Sequence, residues 1–429
     1  MERLLKLATQ AADQAEVFYS NDSSDNLSFT DSKLEKADTS ISSGIALRVI
    51  KDGKIGLAHT RNLLDREALV NQALLSAKDG MDVGFSFPLT TNLPKLNTYN
   101  PAIENLSKKD LVEEGKRMLS YIKEKTGGQV NAGFGYSISE GGIMNSAGTC
   151  LSQKDSYYWV YAMLVFPGTG SGLFKVSSSN GYKTLNKEEL DEMIELFLLS
   201  RTEVVPETKK MPVIFAESSH FALLSRFFAA ASPANFYNKV SPLLNRIGEQ
   251  IVSPKLNLWQ DPFDPEFVSS TAFDTEGSPT QKLSFIDKGI FRAIPTDLNY
   301  ANKLGLAPTG NGLRNSVDAS PSPQAFNLCM GTGDKSLKEM ITSIDEGIIV
   351  QSLMGAHSGN ILNGEYSVGV SSGFYIENGV ITGRVKDCMI SGNAYETLMN
   401  VSEIENKCNK SGSSKLPSIL CDGVSVAGK

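Results

Sequence analysis

The chain has 429 residues, 41% of them hydrophobic and 21% charged, with a net charge of −7. Such a composition builds cores and argues against disorder, while a pI near 5.3 with scattered Lys and Arg argues against a broad phosphate-binding face. No apolar run approaches the ~18 residues of a membrane span, and the polar stretch after Met1-Glu2-Arg3-Leu4 has no signal-peptide pattern. The expectation is a cytoplasmic protein with no membrane contact and no direct nucleic-acid contact. Cys150, Cys329, Cys388, Cys408 and Cys421 are odd in number and form no C-x-x-C pair, so they read as reduced thiols.

Leu4, Leu5, Ala8, Ala11 and Ala12 recur at helical spacing, and the segment then passes into a short strand at 16–20. Residues 27–29 and 37–42 carry weaker strand signals. Apolar runs at 45–50 and 54–59 flank Asp52-Gly53, a hairpin signal because Gly accepts the positive φ of a tight turn. Val70, Ala73, Leu74 and Ala77 mark a helix. Residues 81–106, with Pro88, Pro94 and Pro101, lack periodicity and read as a connector.

Ser107 with Asp110 opens another helix, strands follow at 130–138 and 156–166, and Asn186 with Glu189 caps the helix that ends the unit. The helix–strands–helix order of 1–80 therefore returns in 107–205. After Pro206 the texture changes. Residues 212–215 read as a buried strand, an apolar helix follows around 220–231, and short strands with Gly-rich turns dominate beyond 250. A capping box at Ser336 and Glu339 and a hairpin at Asn378-Gly379 stand out in that stretch. The expected fold class is α+β: N-terminal helix–strands–helix units at 1–80 and 107–205, joined by 81–106, then a C-terminal domain at 206–429 rich in antiparallel sheet.

Residues that could carry chemistry form no complete set. Gly168-Thr169-Gly170-Ser171-Gly172 and Gly310-Asn311-Gly312 match neither a P-loop nor a dinucleotide fingerprint and read as turns. His220 is followed by Phe221 where an H-E-x-x-H zinc motif needs Glu, with Leu224 and Ser225 where the second ligand would fall; one imidazole supplies one ligand of three. His59 ends a strand beside Thr60, and His357 precedes Ser358 in a loop without a nucleophile elbow. The carboxylate pairs Asp261/Asp264 and Asp274/Glu276 flank Pro and Gly turns and read as solvated loops. Cys408 and Cys421 lack basic neighbours that would mark a thiolate. No catalytic, metal or cofactor residue is assigned, and no cofactor is expected.

The second half carries an ordered series: Phe273-Asp274-Thr275-Glu276-Gly277, Asp287-Lys288-Gly289, Tyr300-Ala301-Asn302-Lys303-Leu304-Gly305 and Thr309-Gly310-Asn311-Gly312. Gly364-Glu365-Tyr366-Ser367, Gly373-Phe374-Tyr375-Ile376-Glu377-Asn378-Gly379 and Ile390-Ser391-Gly392-Asn393 continue it. In this order the blocks resemble the TldD/PmbA family, and the hairpin from Leu47-Arg48-Val49 to Gly56 is similar to its opening domain. The Tyr366-Ser367 and Gly373-Phe374 blocks resemble the PmbA (TldE) branch.

The resemblance implies association with a cytosolic zinc metalloprotease that trims unstructured peptides. In that family the TldD subunit bears H-E-x-x-x-H and a cysteine near the C-terminus, and the PmbA/TldE subunit lacks the motif and pairs with TldD. Counted back from Gly248-Glu249-Gln250, the motif positions fall at Leu224, Ser225 and Ala229; anchored on His220, they fall at Phe221 and Ser225. Metal ligation is therefore not carried over, and Cys408, near the family's cysteine, remains a bare thiol. The reading is a non-catalytic subunit partnered by a TldD-like catalytic chain and an unfolded peptide, with a homodimer as a further option. Two alternatives stay open: a peptidase in its own right through His220, His357 or Cys408, and a protein-binding modulator of DNA gyrase.

Overall fold

The computed structural model describes residues 1–356 and 359–428. The N-terminal part opens with α1 (Glu2–Ala11), followed by β1 (Gln14–Thr30), β2 (Lys33–Lys51), β3 (Lys54–Thr60) and α2 (Arg66–Lys78). After the connector come α3 (Lys108–Thr126), β4 (Gln129–Asn145), β5 (Cys150–Val165), β6 (Gly172–Ser179) and α4 (Lys187–Leu199). The expected capping boxes are present: Ser107 and Asp110 bond reciprocally at the start of α3, as do Asn186 and Glu189 at α4. The Asp52-Gly53 turn is also as read, with both residues at positive φ.

The two helix–strands–helix segments share one antiparallel sheet, in the order β3-β2-β1-β4-β5-β6. It forms because β1 is paired on both sides, from Glu16↔Asn145 to Phe29↔Ala132 with β4 and along its whole length with β2. One face is covered by helices. Val17, Leu47 and Val49 pack with Leu4, Ala8 and Ala73 of α1 and α2, and Phe29, Phe134 and Val160 pack with Leu111, Met118 and Leu190 of α3 and α4.

The rest of the chain builds an eight-stranded sheet containing Lys209–Phe215, Glu346–Met354, Glu365–Glu377 and Ile419–Ala427. Its residues alternate between two cores. Ile214, Ile349, Phe374 and Leu420 join α3 and α4, whereas Val213, Phe215, Ile348 and Cys421 join the helix Phe221–Ala230 on the other side. Burial on both faces explains why 212–215 reads as an unbroken apolar run. A third sheet holds Leu258–Gln260, Leu283–Asp287 and Leu328–Met330. Strand outweighs helix, 39% to 23%, and most pairings are antiparallel, so the α+β expectation holds. Three strand pairings among the described residues, such as that with Ile348↔Val213, are parallel.

Candidate functional site

Where the six-stranded sheet meets the 260–330 region, charged side chains converge out of water. The Arg48 guanidinium, on β2, donates from Nε and Nη2 to both carboxylate oxygens of Glu16 (2.8 and 2.6 Å) and from Nη1 to Glu276 (2.8 Å). Arg314 Nη2 donates to Glu16 at 3.0 Å. The second Glu276 oxygen accepts from the Leu298 amide at 2.8 Å. Asp274 accepts from the amides of Glu276, Ser278 and Gly312, each at 2.9 Å. Gly312 is required here, because a Cβ would stand 2.3 Å from a Glu276 oxygen.

This arrangement corrects the solvated-loop reading of Asp274 and Glu276, which are each 1% exposed. Backbone amides and guanidinium groups replace the water that burial removes, which is the condition for keeping charge inside a fold. Asp261 and Asp264 need the same correction: Lys282 pairs with the first and Lys415 with the second, both at 2.6 Å, and Asp261 is buried. Gly310 stands at positive φ, but Gly312 opens the strand Gly312–Leu313, and Asn311 is fully buried and donates to Gln260 and to the Gln324 carbonyl, 2.7 Å each.

The electrostatics follow from that crowding. Burial, then the Glu276 charge, raises the Asp274 carboxyl well above its usual range. The same two causes push Asp297, the N-cap of the helix Leu298–Leu304, up to about 6. Burial, then the Arg48 charge, lowers Arg314 to about 10. At Arg48 burial opposes the charge, yet Glu16 and Glu276 outweigh it and raise the pKa.

Two cavities flank this hub, and Phe18 lines both. The larger, about 540 Å³, lies between the middle of β1 and β2, the end of β3 and the 314–318 loop, and includes Ser42, His59, Arg61 and Arg314. The smaller, about 210 Å³, includes Gln153, Asp155, Ser270 and Asp274. Burial raises the Asp155 pKa. Sequence reading missed the hub, although Arg48 inside the apolar run 45–50 was its visible trace: an unpartnered cation does not belong in a buried strand.

The helix Phe221–Ala230 was tested for the zinc site the resemblance concerns. His220 is 1% exposed, and its ring lies against the carbonyls of Phe215 (Nε2 at 3.3 Å) and Pro417. Burial drives its pKa down to about 4. Leu224 is buried in the core, and the Ser225 hydroxyl accepts from Arg226 Nη1 at 3.2 Å. These residues do not fit a zinc ion. Among the described residues no three His, Cys, Asp or Glu side chains stand close enough to hold a metal.

The remaining candidates are dispersed. Cys408 Sγ lies 3.4 Å from the Met330 carbonyl, and burial raises its pKa. Cys421 is buried within its strand and its thiol is raised likewise. His59 faces the larger cavity. Gly168–Gly172 forms the turn between β5 and β6, with Gly168 at positive φ. His357 and Ser358 lie outside the described residues. No helix among the described residues is long and apolar enough to cross a membrane.

With the fold and hub in view, comparison with known proteins becomes informative. Residues 208–428 match the PmbA/TldA metallopeptidase C-terminal domain, and residues 15–77 match domain 1 of the same metallopeptidases. The chain belongs to the PmbA/TldD family of metallopeptidase-like proteins. The Haemophilus influenzae metalloprotease PmbA homologue is 30% identical over 223 residues, 52% of this chain and 47% of that protein. The metalloprotease TldD homologue of the same organism is 27% identical over 252 residues, 55% of this chain and 52% of that one. The chain thus spans about half the length of each. The crystal structure of TldE from Thermococcus kodakarensis superposes with a TM-score of 0.91 at 25% identity, covering 100% of both chains. Its relatives therefore include both PmbA/TldE-type and TldD-type proteins.

Three of the motif blocks that carry the resemblance meet in the hub. Arg48 comes from the opening hairpin, Asp274 and Glu276 from the first C-terminal block, and Gly312 from the Thr309–Gly312 block. Their work is joining the two halves.

Proposed function

We propose that this chain is a non-catalytic, PmbA/TldE-like subunit of a cytosolic TldD-type zinc metalloprotease complex acting on unstructured peptides. The observation that carries the reading is the helix Phe221–Ala230, where Leu224, Ser225 and Ala229 occupy the positions of the family's metal motif and His220 is sealed against two carbonyls. In this reading the TldD-like partner supplies the metal centre, and this chain helps enclose and hold the peptide. An open strand edge supports the holding role. β3 pairs only with residues 45–51 of β2, so 33–44 carry no strand on their outer side among the described residues. Such an edge accepts an extended backbone with little regard for its side chains.

The test mixes the purified chain with a TldD-type partner and follows cleavage of an unfolded peptide. Hydrolysis should exceed that of the partner alone. No gain over the partner, or near-stoichiometric zinc with hydrolysis by this chain alone, overturns the reading.

A further inference from the structure

We propose that the 540 Å³ cavity beside the hub is a carboxylate-binding site that receives the C-terminal or side-chain carboxylate of an extended peptide. The cavity volume falls in the range of small-ligand sites. Each of its own carboxylates already accepts a serine hydroxyl. Ser20 donates to Asp22 at 2.8 Å, and Ser316 donates to Asp318. Glu16, beneath the floor, is held by both Arg48 and Arg314. The groups left over are donors. Arg61, His59 and the Ser42 hydroxyl line the space, all three exposed, and none makes a hydrogen bond or salt bridge to a described residue. Arg61 and His59 come within electrostatic reach of Asp318 without pairing with it.

A cavity whose unengaged side chains are donors is complementary to an acceptor, and an Arg fork matches a planar carboxylate. The position fits as well. Val317 sits on Gly44, where a Cβ would lie 3.0 Å from the Val317 methyl carbons, so the 314–318 loop roofs the place where β3 stops. From there the unpaired 33–44 edge of β2 runs outward, so a chain end held in the cavity leaves its backbone beside that edge. The peptide as bearer of the carboxylate rests on the subunit reading above; the anion site itself rests on the cavity.

The experiment is calorimetric titration of the full-length chain, without any partner or proteolysis, so its failure is distinguishable from failure of the subunit assay. The probes are an unstructured N-acetylated hexapeptide lacking acidic side chains, with a free C-terminal carboxylate; its C-terminal amide; and the amide carrying one internal Glu. The free acid or the Glu-bearing amide should bind at least tenfold more tightly than the plain amide, with affinity falling as salt is raised. Arg61→Gln should abolish that difference by weakening only the carboxylate probes, and His59→Gln should reduce it; both residues are exposed, so the fold is not at stake. The ratio of acid to Glu-bearing amide assigns the carboxylate to the chain end or to the side chain. Binding of both carboxylate probes no tighter than that of the plain amide overturns the proposal. So does a carboxylate-dependent gain that Arg61→Gln leaves unchanged, or binding of inorganic phosphate with no binding of either carboxylate peptide.

Discussion

At Arg48, three charge-assisted hydrogen bonds stand in for the water its guanidinium loses on burial. Removing one partner of such a group leaves the others charged and dry. Arg48→Met should therefore cost about 3–5 kcal/mol, read as a lowered urea midpoint. Asp297 gives a pH signature. Its folded pKa of about 6 lies above the ordinary carboxyl value, so the folded state binds the extra proton. Its contribution to stability is full at acid pH and is lost as pH rises through about 6. Asp297→Asn keeps the helix cap, since Asn also caps, and should flatten that part of the thermal-midpoint profile. His220 runs the other way. With a folded pKa near 4, it destabilises the fold as pH falls from its ordinary titration range towards that value, and His220→Gln should remove this acid loss. At this scale the sequence was legible where chemistry is local and silent where it is not. Ser107 announces its partner three residues on, but Glu276 meets Arg48 across 228 positions, and no spacing rule reaches that far.

The long ribbon of β1 and β2 shows what decides a strand when composition does not. Residues 20–28 and 33–43 are rich in Ser, Asp, Asn and Lys, poor strand formers, and gave only weak signals. They are extended because residues 16–29 of β1 pair with a strand on each side and 33–43 of β2 are one of those partners, a tertiary cause invisible to periodicity. On β4 and β5, side chains cooperate across strands. The Trp159 and Tyr161 rings lie parallel within 6°, their centroids 5.9 Å apart, above Gly133 and Gly135. A Cβ at Gly135 would stand 2.5 Å from Trp159 Nε1, leaving the ring nowhere to lie. Gly135→Ala should lift it, alter the near-UV circular dichroism of Trp159 and cost about 1–3 kcal/mol by overpacking. Trp259, in another sheet, provides the unchanged background.

In the whole molecule, α3 and α4 are packed between two sheets, and that sandwich bears on the boundary expected at 205/206. Ile349, Phe374, Ile376 and Leu420 from the C-terminal region share one core with Leu119, Met193 and Phe197. Composition marks the change of texture after Pro206 but cannot show that both textures bury the same helices. A fragment of residues 206–429 made alone should expose that apolar sheet face and bind a hydrophobic dye strongly. A soluble, cooperatively melting fragment that ignores the dye would show instead that the C-terminal region holds its own core. Family membership was readable because it rests on an ordered series of short blocks, while the meeting of three of those blocks in the hub needed three dimensions.

Glu16 and Arg314 are 298 positions apart, and this separation sets a timetable. On a ribosome adding roughly 5–20 residues per second, about 15 to 60 s pass between making the first and making the second. Through that interval the nascent N-terminal sheet has Arg48 to neutralise Glu16 but nothing to close over it, so the emerging chain stays wetted at this spot until its last third arrives. Synthesis order alone would make the inter-sheet seam one of the last places to dry.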